Sequence, residues 1–190
     1  MMTIRWRARV SAVLMGMLLV LLSGCGPRAV EDTYSFGTAR VYFADSAAEL
    51  VLPFELQVRR ADTLQAQAPQ ELTAYNANRH FQTIVEAVPA EADTDVAAAQ
   101  AYFVQTLADD DKAETTTTVA TLDGMPAARV DYTYVQPSNQ GPVPLTGRAY
   151  ITVRNGTLWR IMYQYPTNDP EGAALMAYVD GQIRFREVNR

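Results

Sequence analysis

The stretch RAYITVRNGTLWRIMYQY, residues 148–165, decides the fold. Asn155-Gly156 divides it, and this pair suits a two-residue hairpin turn whose central residues need φ > 0. That turn opposes Val153 to Leu158 and Thr152 to Trp159. Alternation then puts Tyr150, Trp159, Ile161 and Tyr163 on one face, with Ile151, Val153, Leu158 and Met162 on the other. Both faces are apolar, so both need cover. The hairpin therefore belongs inside a sheet that has a layer on each side.

The flanking sequence supplies more strands and two covering helices. TTTTVATL (115–122) is a β-branched strand, Asp123-Gly124 a turn, and AARVDYTYV (127–135) the returning strand. QPSNQGPVPLT (136–146), with three prolines, reads as a loop. NDPEGAALMAYVDG (168–181) is a helix with Asn168 or Asp169 as cap, Pro170 early and Gly181 at its end. QIRFREV (182–188) closes the chain. Upstream, TDVAAAQAYFVQTLADDDK (94–112) is the other helix, capped by Asp95. Its face carries Val96, Ala99, Phe103 and Leu107 at helical spacing. FGTARVYFA (36–44) and LVLPFELQV (50–58) read as strands joined through the turn DSAAE. In the second, Leu50, Leu52, Phe54, Leu56 and Val58 share a face. Pro53 places that strand at an edge or an irregularity. Residues 61–71 read as a loop, and 72–88 as extended chain that Asn76 and Asn78 bend into two pieces. The expected class is α+β, an antiparallel sheet of about six to seven strands between helices.

The first thirty residues have a separate logic. Arg5, Arg7 and Arg9 precede thirteen mostly apolar residues, Val10 to Leu22. As a helix this run covers roughly 20 Å, short of the ~30 Å hydrocarbon core. A basic start, a short apolar core and small residues after it describe a signal peptide. Leu22-Ser23-Gly24-Cys25 resembles the lipobox of bacterial lipoproteins. The resemblance implies cleavage between Gly24 and Cys25, and a lipidated Cys25 that anchors the chain to a membrane. The organisation expected is a signal peptide over 1–24, lipidated Cys25 with a tether over 25–33, and one domain over 34–190. Eight extended residues, 26–33, reach about 25 Å, which keeps that domain close to the bilayer. By analogy with lipoprotein sorting, Gly26 leans towards the periplasmic face of an outer membrane where there are two membranes. With one membrane, the place is its outer face.

Composition removes several function classes. Of the 16 Lys and Arg, three lie in the signal; the remaining 13 stand against 21 Asp and Glu, a net charge of −8. That argues against nucleic acid as a partner. Cys25 is the sole cysteine and His80 the sole histidine. With Cys25 lipidated, a disulfide, a cysteine nucleophile and a multi-histidine metal site within one chain fall away. No G-x-S-x-G elbow occurs. No metal or cofactor is expected.

The phrases LDGMPAARVDYTY (122–134) and GRAYITVRNGTLWRIMYQYP (147–166), followed by a helix and IRF, resemble the PsbP-like fold. That family includes PsbP and bacterial envelope proteins of the LpqN and DcrB type. The resemblance spans about residues 36–188 and rests on element order and the Gly124-x-x-Ala127 phrase. It implies an α/β/α sandwich and a non-enzymatic module that binds or assists an envelope protein.

Three candidate sites remain. Tyr132, Tyr134, Tyr150, Trp159 and Tyr163 form a dense aromatic set. As the lining of a sheet–helix groove they would take a small apolar or lipid-like ligand, the alternative function. The bland reading makes them core residues. Asp109, Asp110 and Asp111 with Asp93 and Asp95 bracket one helix and read as solvated ends rather than a Ca²⁺ site. His80 falls on a strand face with Asn78 and Gln82, with no acid beside it, and reads as a surface histidine.

The anchor has a direct test. Cys25→Ser is expected to abolish acyl labelling and to block lipid-dependent processing. Normal cleavage with membrane retention in that variant would sink the lipobox reading.

Overall fold

The computed structural model describes residues 29–60, 71–91, 93–110, 112–139 and 141–188. The expected signal peptide, Cys25 and most of the expected 61–71 loop lie outside the described residues. The chain divides after Thr33. In the first unit, Val30–Thr33 form one helical turn, α1, where extended chain was expected. The rest concerns the unit Tyr34–Arg190.

The hairpin turn forms as its residue types require. Asn155 (φ 47°) and Gly156 (φ 68°) join β8 (Val143–Arg154) to β9 (Thr157–Pro166), with Val153 opposite Leu158 and Thr152 opposite Trp159. Asp123 (φ 49°) and Gly124 (φ 77°) make the equivalent turn between β6 (Glu114–Leu122) and β7 (Met125–Gln136). Two further strands, β4 (Leu72–Ala77) and β5 (Gln82–Pro89), pair as a hairpin, and β3 (Gln57–Arg60) lies beside β4. The seven strands form one antiparallel sheet in the order β3-β4-β5-β9-β8-β7-β6. β8 takes in Val143 to Leu145, so the proline-bearing loop is shorter than expected.

Helix α2 (Val96–Asp110) covers one face. Asp95 caps it, accepting from the amide of Ala97 at 3.0 Å. Phe103 and Leu107 pack into a cluster with Ala128, Val130, Tyr132, Ala149, Ile151 and Met162, and Val96 and Ala99 lie at its margin. The expected helical face is the one that is buried.

Helix α3 (Pro170–Val179) and a second, smaller sheet complete the sandwich. The smaller sheet has the order β1-β2-β10, from Gly37–Phe43, Ser46–Leu52 and Ile183–Glu187. It was not expected. The turn before β2 is Ala44-Asp45, and Ser46 to Glu49 belong to the strand rather than to a turn. The strand expected over 50–58 breaks at Pro53, which has no amide to donate. β2 stops at Leu52 in the small sheet, and β3 starts at Gln57 in the large one. Asn76 holds the crossing by donating Nδ2 to the carbonyl of Glu55 at 2.6 Å. Leu50 and Leu52 are buried, but Val58 beyond the break is half exposed. Trp159, Ile161, Tyr163, Val85, Leu175, Val179 and Ile183 are fully buried, and the Trp159 ring meets Phe185 of β10 with centroids 5.8 Å apart. The fold is an α+β sandwich of two antiparallel sheets and helices. Among the described residues no helix is long and apolar enough to cross a membrane.

One close approach fixes α3 on the sheet. Asp169 caps it, accepting from the amides of Glu171 (2.9 Å) and Gly172 (3.2 Å). A Cβ at Gly172 would lie 2.5 Å from the carbonyl oxygen of His80 and 2.7 Å from Cβ of Tyr165. Neither can swing away as the end of a long side chain could. Gly172→Ala should therefore destabilise the fold by about 1–3 kcal/mol in urea unfolding, although alanine favours helix. A midpoint unchanged or raised would show that α3 can back away from the turn.

Candidate functional site

Beside α3 the main sheet is polar. β7 presents Arg129 and Asp131, β8 presents Arg148 and Tyr150, and α3 ends in Asp180. Arg129 donates to Asp131 at 2.7 Å, and Arg148 donates to the other oxygen of that carboxylate at 2.6 Å. Arg148 reaches on to Asp180 at 2.5 Å, and the Tyr150 hydroxyl donates to the second Asp180 oxygen at 2.6 Å. A carboxylate at a helix C-terminus opposes the helix dipole. Here the guanidinium and the phenol offset that cost and tie α3 to two strands. Burial raises the Asp131 pKa, but the hydrogen bonds from Arg129 and Arg148 outweigh it, so the group lies below the usual carboxylate range. Burial and the bond to Asp180 push the Tyr150 phenol well up.

This ladder borders an open cleft of about 400 Å³. Asp131, Thr133, Thr146 and Arg148 line it from β7 and β8, Glu114 and Thr116 from β6, and Tyr165 and Met176 also border it. The charges of the ladder are internally compensated, so the cleft offers a ligand threonine hydroxyls, a phenol, apolar surface and, on its β6 side, the carboxylate of Glu114. That chemistry suits hydrogen-bonding groups without a large net charge.

His80 is better placed than its sequence neighbours indicate. It sits in the turn between β4 and β5, not on a strand. Its Nδ1 is 2.6 Å from Asp169 Oδ2, and its Nε2 is 3.4 Å from Glu171 Oε2. Tyr34 donates to the other Glu171 oxygen at 2.7 Å. Burial and the bond to Glu171 raise the Tyr34 pKa to about 12. Desolvation pushes Asp169 up, but His80 and the two helix amides win, and its carboxyl lies below the ordinary range. The surface reading of His80 thus gives way to an imidazole held against a helix cap. No local pattern joins residues 80 and 169, and folding alone brings them together.

The aromatic set does not line one groove. Tyr132 pairs with Gly147 and Tyr134 with Leu145, which puts both rings on the α2 side. Tyr150, Trp159 and Tyr163 face the opposite way. Tyr132, Tyr150, Trp159 and Tyr163 are buried, and Tyr134 is partly buried. A different groove, about 380 Å³, runs between α2 and the β5–β9 side of the sheet. Val88, Ala99, Tyr102, Ile151 and Leu158 supply its apolar lining, and Glu86 with Arg160 its ion pair. Among the described residues no group of His, Cys, Asp and Glu is arranged to hold a metal ion.

No protein-family model matches the chain. No curated protein matches it. Several solved structures are similar at low identity. LpqN of Mycobacterium tuberculosis, described as involved in cell envelope biogenesis, is 12% identical with a TM-score of 0.48, over 81% of this chain and 93% of LpqN. PA94 of Pseudomonas aeruginosa, a protein of unknown function and putative regulator, is 14% identical with a TM-score of 0.44, over 76% and 94%. A Bacteroides thetaiotaomicron protein is 10% identical with a TM-score of 0.42, over 74% of this chain and 45% of its own.

The ladder and the Asp169 cap of α3 set a pH signature. Asp131 and Asp169, with lowered folded pKa values, stabilise the fold above the unfolded carboxylate value near ~3.9, and that contribution is lost as pH falls below it. Tyr150, with a raised value, stabilises below the unfolded phenol value near ~10 and loses that contribution as pH climbs beyond it. Tyr150→Phe should make the alkaline limb shallower and cost about 1–3 kcal/mol at neutral pH, because Asp180 loses a donor. Chemical denaturation across pH 3–11 checks both effects, and a variant with an unchanged alkaline limb would show that Tyr150 is not the linked group.

Proposed function

We propose that the chain is a lipid-anchored accessory protein of the bacterial cell envelope that works by binding another protein rather than by catalysis. The placement rests on Arg5 to Cys25, where a short apolar run ends in Leu22-Ser23-Gly24-Cys25. In a two-membrane organism the protein sits at the periplasmic face of the outer membrane, and otherwise on the outer face of the cell membrane.

The observation that carries the reading is the state of the groups around the cleft. Proton transfer is served by a group whose pKa lies near the working pH. Here the carboxylate of Asp131 is moved down and the phenol of Tyr150 is moved up, both away from neutrality. Arg148 is held by two carboxylates at once. The ladder is charge-balanced and held from several sides, and the cleft beside it presents hydrogen-bonding groups, the Glu114 carboxylate among them, next to an aromatic wall. Those are properties of a recognition surface.

The second reading, a small apolar or lipid-like ligand, is favoured by the groove under α2, where apolar side chains stand beside an ion pair. One experiment separates the two. The full anchored chain is crosslinked in its membrane, purified and examined by native mass spectrometry. A partner protein is expected on the wild type, and it should be lost when Thr146→Trp fills the cleft at unchanged circular dichroism. Co-purified lipid with no partner protein would favour the groove and overturn the first reading.

A further inference from the structure

A sheet edge offers unpaired backbone groups to any strand that arrives. The two sheets have four edges: β1 and β10 in the small one, β3 and β6 in the large one. All four contain a charged residue, but in β6 it is only the first, Glu114, and the other three carry charge further along the strand. β1 contains Arg40, β3 contains Arg59 and Arg60, and β10 contains Arg184, Arg186 and Glu187. Charged side chains on an edge discourage pairing.

β6 is built differently. It is nine residues long, and from Thr115 to Leu122 it has no charge, proline or glycine. Its pairing with β7 runs without a bulge from Glu114 opposite Thr133 to Leu122 opposite Met125, so nothing twists the outer edge away. Both of its faces are largely in solvent, and Val119 is 91% exposed. Among the described residues, no strand lies beyond it. Threonine and valine on such a strand favour extended backbone without supplying the charge that guards the other edges.

We propose that β6 pairs antiparallel with β6 of a second copy of this chain, extending the main sheet through both molecules. The occupant follows from self-complementarity, and charge sets where two copies can touch. Outside the signal the chain has a net charge of −8, so copies repel over most of their surface, and the 115–122 edge is a neutral strip. Any antiparallel overlap within 115–122 sets only Thr, Val, Ala and Leu against one another. Thr–Thr and Thr–Val neighbours across strands are favourable pairs, and like charges directly opposite are avoided. The two-fold arrangement uses the same groups on both copies, as an isologous interface requires. The inference does not depend on the membrane reading, since the full chain is also acidic, with a net charge of −5.

One strand pair makes a small interface, so the dimer should assemble in the micromolar range. Sedimentation of the full chain in detergent is expected to show two copies at high concentration and one on dilution. Thr117→Lys with Val119→Lys should shift the midpoint at least tenfold with unchanged circular dichroism, because these side chains are solvent-exposed. Hydrogen exchange gives a second readout, since alternate amides between Thr115 and Thr121 should slow as the dimer forms. A monomer throughout, a dimer indifferent to the lysines, or amides that exchange equally at both concentrations would each overturn the proposal.

Discussion

The structure depends on one constraint, that the β8–β9 hairpin is apolar on both of its faces. Trp159, Ile161 and Tyr163 are fully buried towards α3 and the small sheet, and Ala149, Ile151 and Met162 are buried towards α2. A ribbon of this kind left with one face in water would expose several large side chains, each worth about 1.5–3 kcal/mol of burial. Two covers are therefore obligatory, and the rest of the chain supplies them in different forms. One is a single helix. The other combines a helix with three strands drawn from both ends of the unit, since β1 and β2 come first in sequence and β10 comes last.

The unequal covers explain where the polar site lies. α3 has ten residues, about 15 Å of helix, whereas β7 and β8 have twelve each and run about 40 Å. A helix of that length cannot shield strands of that length. Where the apolar cover runs out, the sequence turns to Arg129, Asp131, Thr133, Thr146 and Arg148. The Arg–Asp ladder then does two jobs. It satisfies half-buried charges that would be costly alone, and it clamps the end of α3 through Asp180. The cleft is thus a consequence of how the core is capped, and its rigidity comes from the same contacts.

Local chemistry was legible in the sequence, and distant pairing was not. The Asn155-Gly156 turn, the register it sets and the Asp169 cap each depend on a few adjacent residues, and each appears as expected. The small sheet depends on β10 joining β2, and Arg186 meets Glu49 across 137 positions. His80 meets Asp169 across 89. No spacing rule encodes such meetings. The 50–58 stretch shows a subtler limit. Its alternation runs unbroken through Pro53, so the pattern reads as one strand, yet the missing amide lets the chain change sheets. The aromatic set fails for a related reason. Tyr132 and Tyr150 are both even-numbered, but the β7–β8 register places Tyr132 opposite Gly147 and so reverses the parity between the strands.

β6 connects the two surfaces argued above. Its first residues, Glu114 to Thr116, border the cleft, and the rest of it is the uncharged edge. A strand paired along that edge would stand beside the cleft and add a wall to its open side. A ligand or partner touching both copies would then bind the pair more tightly than the single chain. By linkage, it would strengthen the pairing by the same factor. A weak edge contact is enough for such a device, because a ligand that touches one copy holds the second at a raised effective concentration. The uncharged threonine run, which has little to do in the core, then has a physical role: it keeps one edge of the sheet available.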